Sequence, residues 1–132
     1  MGSHLRLLLD THALIWWLAG DDALSRRARD AIADEANEII VSAASAMEIA
    51  TKFRIGKLPG AAVLAQDFEA IIAEQGFGEL PISVHHAGLA GEMNIAHKDP
   101  FDRLLIAQAQ AEDMVLVSNE ELFDGVAIKR LW

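Results

Sequence analysis

The sequence predicts an α/β domain built around a mainly parallel central sheet of about five strands. Short apolar runs alternate along the chain with longer segments whose apolar residues recur at helical spacing. The runs are nearly continuous rather than alternately apolar and polar, which is typical of strands that are covered on both faces. A length of 132 residues suits one domain with a single core.

The first half of the chain begins with a predicted strand over Leu5–Leu9, an apolar run that ends at Asp10. Thr11 then opens a helix that Gly20 closes. The next predicted elements are a helix capped by Ser25 and ending near Glu35, a strand over Glu38–Val41, and a helix that is capped by Ser42 or Ser45 and runs to Phe53.

The second half opens with a turn at Pro59-Gly60 and one long amphipathic helix over residues 61–74, closed by Gly76. Asp99-Pro100 predicts a helix start, because Asp is a good cap and Pro fits the first helical position. The predicted elements here are, in order, a strand over 79–82, a helix over 83–91, the helix from Asp99 to Glu112, a strand over 114–117, a short helix over 120–123 and a last strand over 126–129.

Composition excludes several classes of protein. No apolar run approaches the roughly 20 residues that span a bilayer, and no secretory signal is recognisable. Cysteine is absent, which rules out disulfides and thiolate metal sites, and we expect a cytoplasmic protein. Residues 1–4 look like an expression-vector remnant, which leaves residues 5–132 as the predicted domain.

The formal net charge of −9 has two interpretations. An acidic excess argues against nucleic acid, because phosphate binding normally leaves a basic footprint. Such an excess usually serves solubility, but it also arises where carboxylates converge on a divalent cation that then meets the phosphate. The positions of the acids have to decide between these interpretations.

Five acids lie near the ends of the predicted strands or at the start of a helix between them. Asp10 ends the first strand, Glu48 lies in the helix after the second, and Glu120 lies just past the penultimate one. Asp99 and Asp102 open the helix before that penultimate strand. Since ligands of open α/β sheets gather beyond the carboxyl ends of the strands, we expect these side chains to share one crevice. Converging carboxylates repel one another unless a cation is present, and Mg²⁺ or Mn²⁺ prefers such oxygen ligands.

Each acid also has a purely structural explanation. Three occupy positions where an acid stabilises a helix end, as a cap or opposite the helix dipole: Asp10, Asp99 and Asp102. Glu48 completes a capping box if Ser45 is the cap, and it stands four residues before Lys52, the spacing of a helical ion pair. Glu120 suits a solvated loop. Only the convergence of all five favours a metal site.

Four segments, taken in order, resemble the PIN domains of VapC toxins. They are LLDTHALIWWL at residues 8–18, SAASAMEIA at 42–50 with Gly56-Lys57-Leu58 after it, HKDPFDRLLIAQA at 97–109, and LVSNE at 116–120 followed by Phe123. The third segment is the most specific, and together the matches span nearly the whole chain.

The resemblance implies a metal-dependent endoribonuclease with a PIN-like three-layer α/β/α sandwich. Carried over by motif, the ligands of Mg²⁺ or Mn²⁺ are Asp10, Glu48 and Asp102, with Glu120 where the family usually has Asp. Glu48 is also the candidate to orient or deprotonate the attacking water. Supporting roles fall to Thr11 and Ser118 as hydrogen-bond partners of ligands or water, to Asp99 as a cap or outer group, to Asn119 as a substitute ligand, and to Arg103 as a phosphate contact or ion-pair partner of Asp99.

The resemblance also implies partners. They are RNA, with transfer RNA as one candidate, a cognate VapB-like antitoxin with a basic and apolar inhibitory segment, and a second copy of the chain in a homodimer, with no membrane involved. The basic stretch Lys52, Arg54 and Lys57 either follows an RNA backbone or is a solvated face. Trp16 and Trp17 are adjacent, so we expect one of them to be exposed at a partner surface.

Two rival functions are weaker. A haloacid-dehalogenase-type phosphatase needs a second Asp two residues after Asp10, where this chain has His12, and a receiver domain needs paired acids there. A binding module that uses a PIN fold without cleaving RNA gains only from Glu120. Metal-dependent cleavage that is lost in Asp10→Asn would exclude that module.

Overall fold

The computed structural model describes residues 4–132, in which five parallel strands form one sheet. The strands are β1 (Arg6–Leu9), β2 (Glu38–Ser42), β3 (Gly78–Leu80), β4 (Val115–Val117) and β5 (Lys129–Leu131). Their order across the sheet is β3-β2-β1-β4-β5, with every neighbouring pair parallel. The predicted parallel sheet is therefore confirmed, and its first strand is its centre.

Seven α-helices connect the strands in the described part of the chain. They are α1 (Thr11–Ala19), α2 (Arg26–Ala33), α3 (Ala43–Arg54), α4 (Ala62–Gln66), α5 (Phe68–Gln75), α6 (Val84–Glu92) and α7 (Pro100–Ala111), with 3₁₀ turns at Pro59–Ala61 and Glu121–Gly125. Ser25 and Asp99 cap their helices as predicted. Of the two candidate caps for α3, it is Ser42 whose hydroxyl accepts a hydrogen bond from Ala44 N, at 2.9 Å.

The helices cover the sheet in two layers, because alternate residues of each strand face opposite sides. Leu7 and Leu9 of β1 belong to one apolar cluster with residues of α1, α2, α4 and α5. Leu8 belongs to a second cluster with Leu105 and Ile106 of α7. All of these side chains are buried. The predicted three-layer α/β/α sandwich is confirmed.

Three predicted boundaries are wrong for identifiable reasons. The long helix over 61–74 is interrupted at Asp67, which has φ −119° and ψ 35°. The last strand begins at Lys129 rather than residue 126, because Ala127 has a φ of 57°, which no strand allows. The third strand ends at Leu80, because Pro81 has no N–H group for the ladder.

Neither tryptophan of the adjacent pair is exposed, contrary to expectation. Trp16 packs on Trp132 with ring centroids 5.8 Å apart, and both belong to the rim of the first apolar cluster. Trp17 packs on Phe77 and donates from its indole nitrogen to Gln75 Oε1 at 2.9 Å. Both indole rings therefore pack against other side chains of the domain.

The predicted vector remnant lies outside the described residues except for His4, whose ring contacts the backbone carbonyl of Ala36. Across residues 4–132, no helix is both long and apolar enough to cross a membrane.

A buried polar network ties α7 to the sheet. The Gln108 side chain is completely buried, and its Oε1 accepts a hydrogen bond from the Ser42 hydroxyl at 2.5 Å. Its amide nitrogen donates to the carbonyl of Pro81 at 3.3 Å. His86, which caps α6 together with Ser83, lies beside the same amide. The network fixes α7 against the end of β2, where α3 begins; α3 and α7 both supply acids to the site described below.

Replacing Gln108 by Met, which has a similar volume, should lower the free energy of unfolding by about 1–3 kcal/mol. The buried Ser42 hydroxyl would lose the acceptor of its hydrogen bond. Urea unfolding measures the loss. Gln66→Met, on the exposed end of α4, is the matched control and should change stability by less than about 0.5 kcal/mol. Equal effects of the two substitutions would contradict the prediction.

Candidate active site

The candidate site lies where β1 and β4 end side by side. The chain leaves β1 on one side to form β2 and β3 and returns on the other side as β4 and β5. Crevices form at such a reversal of strand order, beyond the carboxyl ends. Asp10, directly after β1, donates its backbone N–H to the carbonyl of Val117 at 3.0 Å. This hydrogen bond places the residue after β1 next to those that follow β4.

A small cavity of about 70 Å³ opens at this point, and all five acids selected from the sequence line it: Asp10, Glu48, Asp99, Asp102 and Glu120. We call it the acidic cavity. Thr11, His12, Lys52 and Leu105 complete its lining. A larger cavity of about 790 Å³ lies by the opposite end of the sheet, near Trp17 and Phe77, and gathers no comparable set of reactive groups. The chemistry is therefore concentrated in the smaller one.

Asp10 combines a structural and a potential ligand role. Its Oδ1 accepts a hydrogen bond from Ala13 N at 2.8 Å and so caps α1. The residue is 6% exposed, and this burial raises the pKa of its carboxyl, while hydrogen bonds from Ser118 and Ala13 N oppose the rise. The cap therefore fixes the orientation of the Asp10 carboxylate and still leaves its oxygens able to bind a cation.

Glu48 is held from both sides. Thr11 Oγ1 donates to Glu48 Oε1 at 2.6 Å and lies 3.0 Å from the Ser45 hydroxyl. Lys52 Nζ donates to Glu48 Oε2, so the predicted helical ion pair forms. The pKa of Lys52 is raised, chiefly by this hydrogen bond to Glu48. The capping box with Ser45 does not form, because Ser42 is the cap.

Asp99 and Asp102 meet at the start of α7. Asp99 Oδ1 accepts hydrogen bonds from Phe101 N at 2.8 Å and Asp102 N at 3.3 Å, which confirms Asp99 as a helix cap. Asp102 is half-buried. Burial, followed by the negative charges of Asp99, Glu120, Glu48 and Asp10, raises the pKa of Asp102 to about 7. The pKa of Asp102 is thus raised by every other acid that lines the cavity.

The segment after β4 places one acid at the cavity and leaves its neighbour outside. Ser118 is completely buried, hydrogen-bonds Asp10, and accepts from the backbone N–H of Glu120 at 3.1 Å. Glu120 reaches the cavity, whereas Asn119 is exposed and lies in a separate surface depression. The geometry gives Asn119 no part in the acidic cavity.

Arg103 has a different role from either of those expected of it. Its guanidinium donates to the backbone carbonyls of four residues, Ala90, Gly91, Met93 and His97. These bonds fasten the end of α6 and the irregular segment after it, and they use four of the five guanidinium N–H groups. Arg103 makes no ion pair with Asp99. The expectation failed because the acceptors lie at the end of α6 and in the loop after it, whose path the sequence does not reveal.

Sequence reasoning assigned two residues of the cavity no part in it. The spacing from Glu48 predicts Lys52 as its ion-pair partner, and the basic stretch groups it with Arg54 and Lys57. Of these three, Lys52 alone lines the cavity, while the other two are exposed. His12 lines the cavity from the exposed side of α1, and no spacing distinguished it from an ordinary surface histidine.

The donor set fits a divalent cation, although in residues 4–132 no three of the acids already stand in a ligand cage. Asp10, Glu48 and Asp99 are instead oriented by their own hydrogen bonds, and the pKa of Asp102 is raised by burial and by the neighbouring negative charges. Hard oxygen donors around a small cavity suit Mg²⁺ or Mn²⁺, which would relieve the repulsion between these charges. Asp10, Glu48, Asp102 and Glu120 are the residues available to hold it.

A parallel α/β sheet with carboxylates gathered at its carboxyl edge suits a hydrolase of phosphate esters. The chain belongs to the PIN-domain family, whose model matches residues 7–129. PIN domains are nucleases and generally depend on divalent metal ions. The resemblance found in the sequence is thereby confirmed at the level of the family.

Several solved structures share this fold. VapBC2 from Rickettsia felis, bound to a promoter DNA fragment, has a TM-score of 0.70 and 15% identity, covering 97% of this chain and 99% of that one. A toxin–antitoxin complex from Klebsiella pneumoniae has a TM-score of 0.67 and 21% identity, covering 96% of each chain. FitAcB from Neisseria gonorrhoeae has a TM-score of 0.59 and 18% identity, also covering 96% of each chain. No curated protein matches the chain in sequence.

The raised pKa of Asp102 predicts a pH-dependent penalty in the metal-free protein. Between the ordinary value of 3.8 and about 7, the folded state keeps a proton that the unfolded chain releases, so stability from this group falls as pH rises through that window. Asp102→Asn cannot ionise. In EDTA, its melting temperature relative to wild type should therefore rise between about pH 5 and about pH 8.

Asp30→Asn, an exposed position on α2, is the matched control and should show no such trend. A difference between Asp102→Asn and wild type that stays constant with pH would contradict the assignment.

Proposed function

We propose that this chain is a divalent-metal-dependent endoribonuclease and the toxin of a VapBC-type toxin–antitoxin pair. The observation that carries the proposal is the convergence of five carboxylates, from four separate segments of the chain, on one small cavity at the carboxyl edge of the sheet. Helix capping accounts for Asp10 and Asp99, but it does not account for Glu48, Asp102 and Glu120 around the same cavity, where their charges repel one another. The family supplies nuclease chemistry, and the related folds from toxin–antitoxin complexes support the biological role.

The chain's own residues would position the reactants. Thr11 orients Glu48 for holding or deprotonating the attacking water, and Ser118 orients Asp10. Asp102, on the first turn of α7, faces them across the cavity. A bound Mg²⁺ or Mn²⁺ would supply Lewis acidity at the scissile phosphate and lower the pKa of water. Exposed Arg54 and Lys57 are the basic groups available to an RNA backbone near α3.

The charge of the molecule supports one of the proposed partners. A net charge of −9 and an acidic cavity suit a VapB-like antitoxin whose inhibitory segment is basic and apolar. We further propose a homodimer that acts on RNA in the cytoplasm, with transfer RNA as the first substrate to test.

Cleavage of a labelled RNA pool should require Mg²⁺ or Mn²⁺ and stop in EDTA. Asp10→Asn and Asp102→Asn should each lower the rate by about 100-fold or more, because each removes a charged oxygen ligand. Gel analysis gives the rates, and circular dichroism checks that the variants are folded.

Glu69→Gln, an exposed acid on α5, is the control and should leave cleavage unchanged. Cleavage that persists in EDTA, or in folded Asp10→Asn, would exclude the proposed mechanism. Cut sites mapped on the pool would begin to identify the natural RNA.

Glu120 is the feature that favours the alternative, a PIN-fold binding module with weak or no catalysis. Its longer side chain stands where the family usually has Asp. If Glu120 is a ligand, Glu120→Gln should lower cleavage by about tenfold or more, while Glu120→Asp should keep it within about tenfold of wild type.

Glu121→Gln, at the neighbouring exposed acid, is the matched control for this pair. An inactive wild type that becomes active as Glu120→Asp would support the binding module. An unaffected Glu120→Gln would remove residue 120 from the site.

A further inference from the structure

Lys52 places a positive charge inside a site that is otherwise built of carboxylates. Its ammonium donates to Glu48 Oε2 from one turn further along α3, and it lines the acidic cavity. Among the lining residues in the described part of the chain, it is the sole lysine or arginine. The two side chains of this ion pair differ in burial, because that of Glu48 is 7% exposed and that of Lys52 is 31% exposed.

The two hydrogen-bond partners of Glu48 differ in what they provide. Thr11 offers a neutral hydroxyl to Oε1, which orients the carboxylate but leaves its charge. Lys52 offers a full positive charge to Oε2. A buried carboxylate beside other acids is costly unless a cation accompanies it. In the metal-free protein, Lys52 therefore supplies the positive charge that pairs with the Glu48 carboxylate inside the cavity.

We propose that Lys52 is a built-in counter-cation of the acidic cavity, which neutralises Glu48 in the metal-free protein and competes with the divalent cation for it. This inference rests on the proposed metal-dependent function. A divalent cation that takes Glu48 as a ligand must share or displace the ammonium, because both use the same carboxylate. Lys52 is thus a positioning residue that weakens metal binding and keeps the empty site folded.

The test is calorimetric titration of Mn²⁺ into wild type, Lys52→Met and Lys52→Arg, at about pH 8 so that Asp102 is ionised. Lys52→Met should bind Mn²⁺ about three- to tenfold more tightly, because a competing charge at a half-exposed site is gone. It should also melt at a lower temperature than wild type in EDTA. Lys52→Arg keeps the charge and should bind Mn²⁺ like wild type.

Lys57→Met is the matched control, because Lys57 lies on the same basic stretch but outside the acidic cavity. It should change neither Mn²⁺ affinity nor the melting temperature in EDTA. If Lys52→Met unfolds in EDTA, recovery of its fold on addition of Mn²⁺ supports the proposal, and failure to recover overturns it.

The outcomes separate this inference from the proposed function. If wild type binds Mn²⁺ and Lys52→Met binds it equally or less tightly, the competition is excluded while the nuclease proposal stands. If neither wild type nor Lys52→Met binds Mn²⁺, the metal-dependent function falls and the inference falls with it. Binding by Lys52→Met alone would support the competition directly.

Discussion

The parallel pairing of β1 with both β2 and β4 is the constraint on which the remaining structure depends. Because all three strands point the same way, the residues that follow them meet at one edge of the sheet. Asp10, the start of α3 and Ser118 are neighbours for this reason alone. The buried bond between Gln108 and Ser42 then fixes α7, and with it Asp102, over the same edge.

Bringing acids together in this way creates a charge problem that the neighbouring residues partly relieve. Ser118 and the first turn of α1 donate hydrogen bonds to Asp10, while Thr11 and Lys52 donate to Glu48. Asp102 has no comparable donor among its hydrogen bonds in the described residues, and its carboxyl carries the raised pKa. The hydrogen bonds that stabilise negative charge are therefore unevenly distributed among the acids of the site.

Local signals in the sequence predicted the features that depend on local physics. Asp10 and Asp99 were identified because strand ends and helix caps have short-range signatures. The features that were missed depend on distant neighbours. The carbonyls that engage Arg103 belong to the end of α6 and the loop after it, and Ala127 adopts a positive φ without a glycine. No pattern within one segment contains that information.

The central position of the first strand also affects how the protein is made. β1 emerges early in synthesis but acquires β4 only when most of the chain is present. A nascent chain therefore carries Asp10 and Glu48 long before Asp99, Asp102 and Glu120 exist to face them. Folds dominated by such distant pairings form slowly. An unfinished chain therefore has only part of the acidic cavity, which is complete once α7 and the segment after β4 have been made.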